Sequence, residues 1–160
     1  MARLRARGER GAALVEFALV FPVMMIVVLG MFSLGQFLNN DLQLTNAVGI
    51  GGQVLAVDRG NTLNPCSDAF AAITNAAPLL DPSQMIFTFV LNGTTYGPLT
   101  GGSSHVSCSS SSNSTGAAGN LVQGKSASIT VLYPCTLMVY TSVNLVPGCL
   151  LPGQITEIVQ

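Results

Sequence analysis

The sequence predicts an α+β protein: a single N-terminal transmembrane helix, then a small domain with a short helix and a mostly antiparallel sheet. Three observations carry this. The run Phe17–Phe37 has 21 residues without a charge, and the next charge after Glu16 is Asp41. Beyond residue 58, short β-rich runs alternate with turn signals. All four cysteines, Cys66, Cys108, Cys135 and Cys149, fall in that later part. Composition agrees: 49% of the 160 residues are hydrophobic and 8% charged, against roughly 25% charged in an ordinary soluble domain. Much of this chain avoids water or packs against copies of itself.

The apolar run comes first. A helix of its length spans about 30 Å, the thickness of a bilayer's hydrocarbon core. Arg3, Arg5, Arg7 and Arg10 precede it and are four of the six basic residues. Positive residues stay on the cytoplasmic side. The expectation is therefore a single-pass protein of the inner (cytoplasmic) membrane, with the N-terminus cytoplasmic and the C-terminal part periplasmic or extracellular. A basic stub beside an apolar run has this membrane reading, so no nucleic-acid partner is expected. A cleaved secretory signal would have a shorter apolar region and a small-residue cleavage site; Gln36-Phe37-Leu38-Asn39 offers none. Pro22 lies inside the run, where it either bends the helix harmlessly or acts as a hinge.

Glu16 sits at the head of the run. An acid near a helix N-terminus favours the helix dipole, which is its simplest reading. The stretch Arg10-Gly11-Ala12-Ala13-Leu14-Val15-Glu16-Phe17-Ala18-Leu19-Val20-Phe21-Pro22 also resembles the N-terminus of TadE-like minor pilins of bacterial tight-adherence pili. Leu44-Thr45-Asn46-Ala47 resembles that family too, and the likeness covers about residues 7–57. Gly49-Ile50-Gly51-Gly52 departs from it, since alanines and charged residues are expected there. The resemblance implies that a prepilin peptidase cuts after Gly11, making Ala12 first and Glu16 fifth in the mature chain. It also implies an assembly platform and other pilin or pseudopilin subunits as partners. Cleavage would create an α-amino group one helical turn from Glu16. Opposite charges attract strongly in a low dielectric, though desolvation offsets much of the gain. Between neighbouring subunits the same pairing would set axial register.

Three regions follow from this reading: a basic cytoplasmic leader over 1–11, a transmembrane and extended helix over 12–57, and an extracytoplasmic disulfide-bearing α+β domain over 58–160. In the second region Leu38, Leu42, Thr45, Val48 and Leu55 roughly keep a helical stripe. The pairs Ala47/Gly51 and Val48/Gly52 are spaced to let another helix approach closely, or the glycines fray the helix at about 1 kcal/mol each. Asp58-Arg59-Gly60-Asn61 reads as a turn.

In the third region Ser67 is placed to cap a short helix through Asn75, ended by Pro78. Met85–Leu91 reads as a strand, Asn92-Gly93 as a hairpin turn and Thr94–Leu99 as the returning strand. Ser126–Tyr133, Leu137–Asn144 and Gln154–Val159 are further strand candidates. Pilin-like proteins share this outline, as do many other α+β domains. Ser103–Gly116 has eight serines in fourteen residues and reads as an exposed loop. Asn92-Gly93-Thr94 and Asn113-Ser114-Thr115 match a glycosylation sequon by chance in a bacterial setting.

Four cysteines in an oxidising compartment suggest two disulfides in one of three connectivities. The favoured pairing is Cys66–Cys108, which ties down the serine-rich loop, and Cys135–Cys149, which closes a local loop. No C-x-x-C occurs and the one histidine is His105, so neither a metal nor a cofactor is expected. No nucleophile–base–acid set and no phosphate-binding loop is present in the sequence, and an enzyme is not expected. The leading functional expectation is a TadE-like minor pilin or pseudopilin that assembles or initiates a tight-adherence pilus for surface attachment. The alternative is a membrane-anchored extracytoplasmic binding module outside any filament. A tethered periplasmic enzyme comes third.

Overall fold

The computed structural model describes residues 5–102, 106–108, 117–135, 138–140, 143–144 and 148–160. They form one long helix α1 (Arg5–Val57), a short helix α2 (Pro65–Ala76), and strands β1 (Ile86–Leu91), β2 (Thr94–Thr100), β3 (Ser126–Pro134), β4 (Met138–Tyr140), β5 (Val143–Asn144) and β6 (Leu150–Ile158), with 3-10 turns at Pro82–Gln84 and Ala117–Asn120. The α+β class expected from the sequence is the class observed. The chain divides into two compact units: residues 1–37 with 136–147, and residues 38–135 with 148–160.

In the first unit α1 is continuous through Pro22. Every side chain from Ala13 to Leu29 is exposed, including Leu14, Phe17, Leu19, Met24 and Ile26. Phe17 and Phe21, four residues apart, meet with ring centroids 5.5 Å apart and planes tilted by 36°. The unit also holds β4 and β5, paired antiparallel in a two-stranded ladder. A single strand was expected over Leu137–Asn144. The register pairs Tyr140 with Val143, so the segment doubles back on itself as two short strands.

The second unit is built on a four-stranded antiparallel sheet of order β2-β1-β3-β6. The β1–β2 turn is Asn92-Gly93, with φ of 48° and 80°; positive φ at both positions is the type I′ geometry that suits the twist of a hairpin. Alternation fixes the faces. Phe87, Phe89 and Leu91 of β1, Ala127, Ile129 and Val131 of β3, and Leu151 of β6 are buried on one side. Each large apolar side chain buried this way contributes about 2–3 kcal/mol. Phe87 meets Phe70 of α2 edge-on, with centroids 5.1 Å apart.

Helix α2 begins two residues before the expected Ser67 cap. Asn64 occupies the cap position and Pro65 follows it, where a fixed φ and a missing N–H suit the first turn. Asn64 makes no side-chain cap bond. Its Nδ2 donates to Ser107 Oγ (3.0 Å) and its Oδ1 accepts from the Cys108 backbone N–H (3.3 Å). The side chain that would cap the helix is thus spent on the segment beside the disulfide.

Cys66 is bonded to Cys108, with Cα atoms 5.6 Å apart, and Cys135 to Cys149 at 5.4 Å. The second bridge continues the β3–β6 register, because the Cys135 N–H donates to the Cys149 carbonyl at 3.1 Å. Strand β6 starts at Leu150, four residues before the expected Gln154, since β3 offers a partner for each of its nine residues. Of Ser103–Gly116, only Val106–Cys108 lies within the described residues; His105 and the Asn113 sequon lie outside them.

Helix α1 ends in a turn. The Asp58 N–H donates to the Val54 carbonyl, the Asn61 N–H to the Asp58 carbonyl, and Gly60 takes φ 79°. Partial desolvation, then the negative charge of Asp68, holds the Asp58 carboxyl above the usual aspartate range. Asp81 behaves oppositely. The side-chain and backbone donors of Ser83, with Gln84, hold it below that range.

Candidate functional site

The expected processing residues all lie in the N-terminal part of α1. Gly11, Ala12 and Glu16 are helical, and the helix already includes Arg5–Arg10. Ala12 and Glu16 are four residues apart, about 6 Å along the axis. Glu16 is exposed, as are Ala13, Leu14 and Val15.

The same helix changes character along its length. From Ala13 to Leu29 apolar side chains point outward on all sides. A helix apolar all round needs an apolar medium around it. One helix of the described residues is long and apolar enough to cross a membrane.

From residue 44 onward one stripe is buried instead: Leu44, Ala47, Val48, Gly51, Gly52 and Leu55, the spacing of one helical face. The expected stripe differed. Leu38 and Leu42 are exposed at 53% and 63%, and Thr45 is exposed as well. The small residues decide the face. A Cβ on Gly51 would stand 2.5 Å from Ile73 Cγ1 of α2, and one on Gly52 would stand 2.7 Å from Ile155 Cγ2 of β6. From the other side, a Cβ on Gly153 would meet Val48 Cγ2 at 3.0 Å. The glycines do not fray the helix, which runs to Val57. They admit a helix on one side, as the spacing allowed, and a strand on the other, which the helix-packing reading missed. The Gln160 N–H closes the arrangement by donating to the Ala56 carbonyl at 2.9 Å.

Arg59 Nη1 donates to Gln123 Oε1 at 3.0 Å, and Asn120 Nδ2 donates to the Tyr96 hydroxyl. Among the described residues no three His, Cys, Asp or Glu side chains converge as a metal site would require.

These features define a chain with one candidate membrane-spanning helix whose far end is docked into a disulfide-bonded α+β unit. The family model for TadE-like protein matches residues 11–52, in agreement with the resemblance read from the sequence. The matched stretch begins at Gly11 and ends at Gly52 in the buried stripe, so it lies within α1 and includes none of the sheet. No curated protein and no solved structure matches the chain.

Proposed function

We propose that this chain is a minor pilin or pseudopilin acting in the assembly or initiation of a tight-adherence pilus that serves surface attachment. One observation carries the reading. The TadE-like match starts at Gly11, and Glu16 stands fifth from the bond that follows it. A prepilin peptidase would remove residues 1–11 and leave an α-amino group on Ala12, one helical turn from the Glu16 carboxylate. Residues 12–57 would hold the chain in the inner membrane, with residues 58–160 outside the cytoplasm. An unpaired acid in an apolar medium costs a few kcal/mol. A neighbouring subunit's α-amino group would relieve that cost, and this would fix one axial register between subunits. The role is structural rather than catalytic. Other pilins and an assembly platform would be the partners.

The test is the N-terminus of the protein purified from membranes and from sheared pili. Processing predicts a chain beginning at Ala12 in both fractions. A chain beginning at Met1 or Ala2 would sink the processing claim. Retention in the membrane alone would favour a tethered module outside the filament.

A further inference from the structure

The hairpin β4–β5 does not belong with the strands that lead into and out of it. Strands β3 and β6 lie in the second unit, whereas Thr136–Pro147 between them joins residues 1–37 in the first. That first unit holds the apolar run of α1. The hairpin leaves the sheet at the Cys135–Cys149 bridge, where the Cys135 N–H donates to the Cys149 carbonyl at 3.1 Å.

Packing within the second unit shows which end of the sheet this is. Helix α1 and β6 run in the same direction: Gly153 lies against Leu44 and Val48, Gly52 against Ile155, and the Gln160 N–H donates to the Ala56 carbonyl. The four residues from Gly153 back to Cys149 cover about 13 Å of strand, which matches roughly nine residues of helix. Nine residues back from Leu44 and Val48 are residues 35 and 39, where the apolar run ends. The bridge therefore stands at the end of the sheet nearest the run. Helix α1 is covered at this level. Every residue from Ala13 to Leu29 is exposed, but Ser33 is only 8% exposed, and Gly30 and Phe37 on the same face are half-buried. Ser33 lies about 6 Å inward of Phe37 along the axis.

Composition sets the hairpin apart as well. No charged residue occurs between Lys125 and Glu157, and seven of the twelve residues of Thr136–Pro147 are Leu, Met, Val or Tyr. Leu150, next to the bridge, is 46% exposed. Hairpin tips in water are ordinarily polar. We propose that this hairpin is a second membrane contact, seated at the boundary of lipid headgroups and acyl chains beside α1. Lipid is the occupant because the hairpin shares a compact unit with the helix residues apolar enough to cross a membrane. Tyr140 is of a residue type enriched at that boundary. The open edges of a two-stranded hairpin carry backbone groups that hydrocarbon does not tolerate unpaired. The hairpin therefore stops at the interface, about 5–10 Å deep, which is the level at which Ser33 is covered. This step rests on the membrane reading of α1 and not on cleavage after Gly11.

The chain has no tryptophan, so a single introduced one reports its own surroundings. Full-length Tyr140→Trp is reconstituted in vesicles of phosphatidylcholine brominated on its acyl chains. Phe32→Trp in the apolar run and Leu63→Trp, at a position 83% exposed, are the references. The expected result for Tyr140→Trp is blue-shifted emission, quenched by the brominated lipid as Phe32→Trp is, with weaker quenching by acrylamide than Leu63→Trp shows. Adding Met138→Asp should abolish the lipid quenching at position 140 and leave that at position 32 unchanged. Val143→Trp, paired with Tyr140 in the ladder, takes over the measurement if Tyr140→Trp does not form the Cys135–Cys149 bridge. Emission that follows Leu63→Trp means a hairpin in water and overturns the proposal. Emission shielded from lipid and acrylamide alike means a hairpin against protein, another pilin included, and overturns it too. Lipid quenching at position 32 without quenching at position 140 defeats this proposal alone, whereas absence of quenching at both defeats the membrane reading with it.

Discussion

The two parts of α1 use apolar residues for opposite ends. Between Ala13 and Leu29 the side chains are large and exposed all round. Between Leu44 and Leu55 the buried stripe includes Ala47, Gly51 and Gly52, whose smallness brings α2 and β6 to the backbone. The first part needs a medium and makes no demand on shape. The second needs particular neighbours and is intolerant of a methyl group. One helix thus carries a solvent-matching segment and a shape-matching segment, and substitutions should separate them.

The largest effect is expected from Val27→Arg. It puts a charge in the middle of the exposed apolar part, at an insertion cost of about 2.5–3.5 kcal/mol. Membrane fractionation should show loss of insertion. The disulfide-bonded unit should melt as before, and a lower melting temperature would argue against the separation. Next is Gly51→Ala. Its methyl group would meet Ile73 at 2.5 Å, and overpacking costs about 1–3 kcal/mol. Denaturant unfolding should record that loss while insertion is unchanged. Gly49→Ala, two residues earlier, is the matching control: nothing lies within 4 Å of its Cβ position. It should stabilise the helix by up to about 1 kcal/mol. Equal effects at 49 and 51 would remove the shape-matching account.

The smallest effect concerns the turn that ends the helix. The folded state raises the Asp58 pKa, chiefly by desolvation. The folded chain therefore holds the proton to higher pH than the unfolded chain, and stability falls as pH rises from the ordinary aspartate value through the raised one. Asp58→Asn should be slightly more stable than the parent at neutral pH. The two should converge below the ordinary aspartate value, as a pair of melting curves would show.

The membrane-length run was legible because it depends on composition alone, and so was the Asn92-Gly93 turn, because few residues accept positive φ at two adjacent positions. The buried stripe was harder. Leu38 and Leu42 fit a helical period as well as Leu44 does, and periodicity does not say which face has a neighbour. The small residues carried that information through the Ala47/Gly51 and Val48/Gly52 pairs, but not that a strand would use one of them. The start of α2 was misplaced because Ser and Asn cap helices about equally well, so capping preference alone does not choose between Ser67 and Asn64. Asn64 holds the position because Pro65 follows it and because its side chain bonds to Ser107 and Cys108, 43 and 44 residues away. The candidate processing residues were legible only through a resemblance, since their role would lie in an encounter with another protein.

The register shift that leaves Thr88 of β1 opposite both Gly97 and Pro98 of β2 has a consequence for how this sheet could be extended. A sheet with two usable edges can add copies without limit, as fibrils do. On the β2 side of this sheet the regular ladder that such growth needs is broken at the bulge.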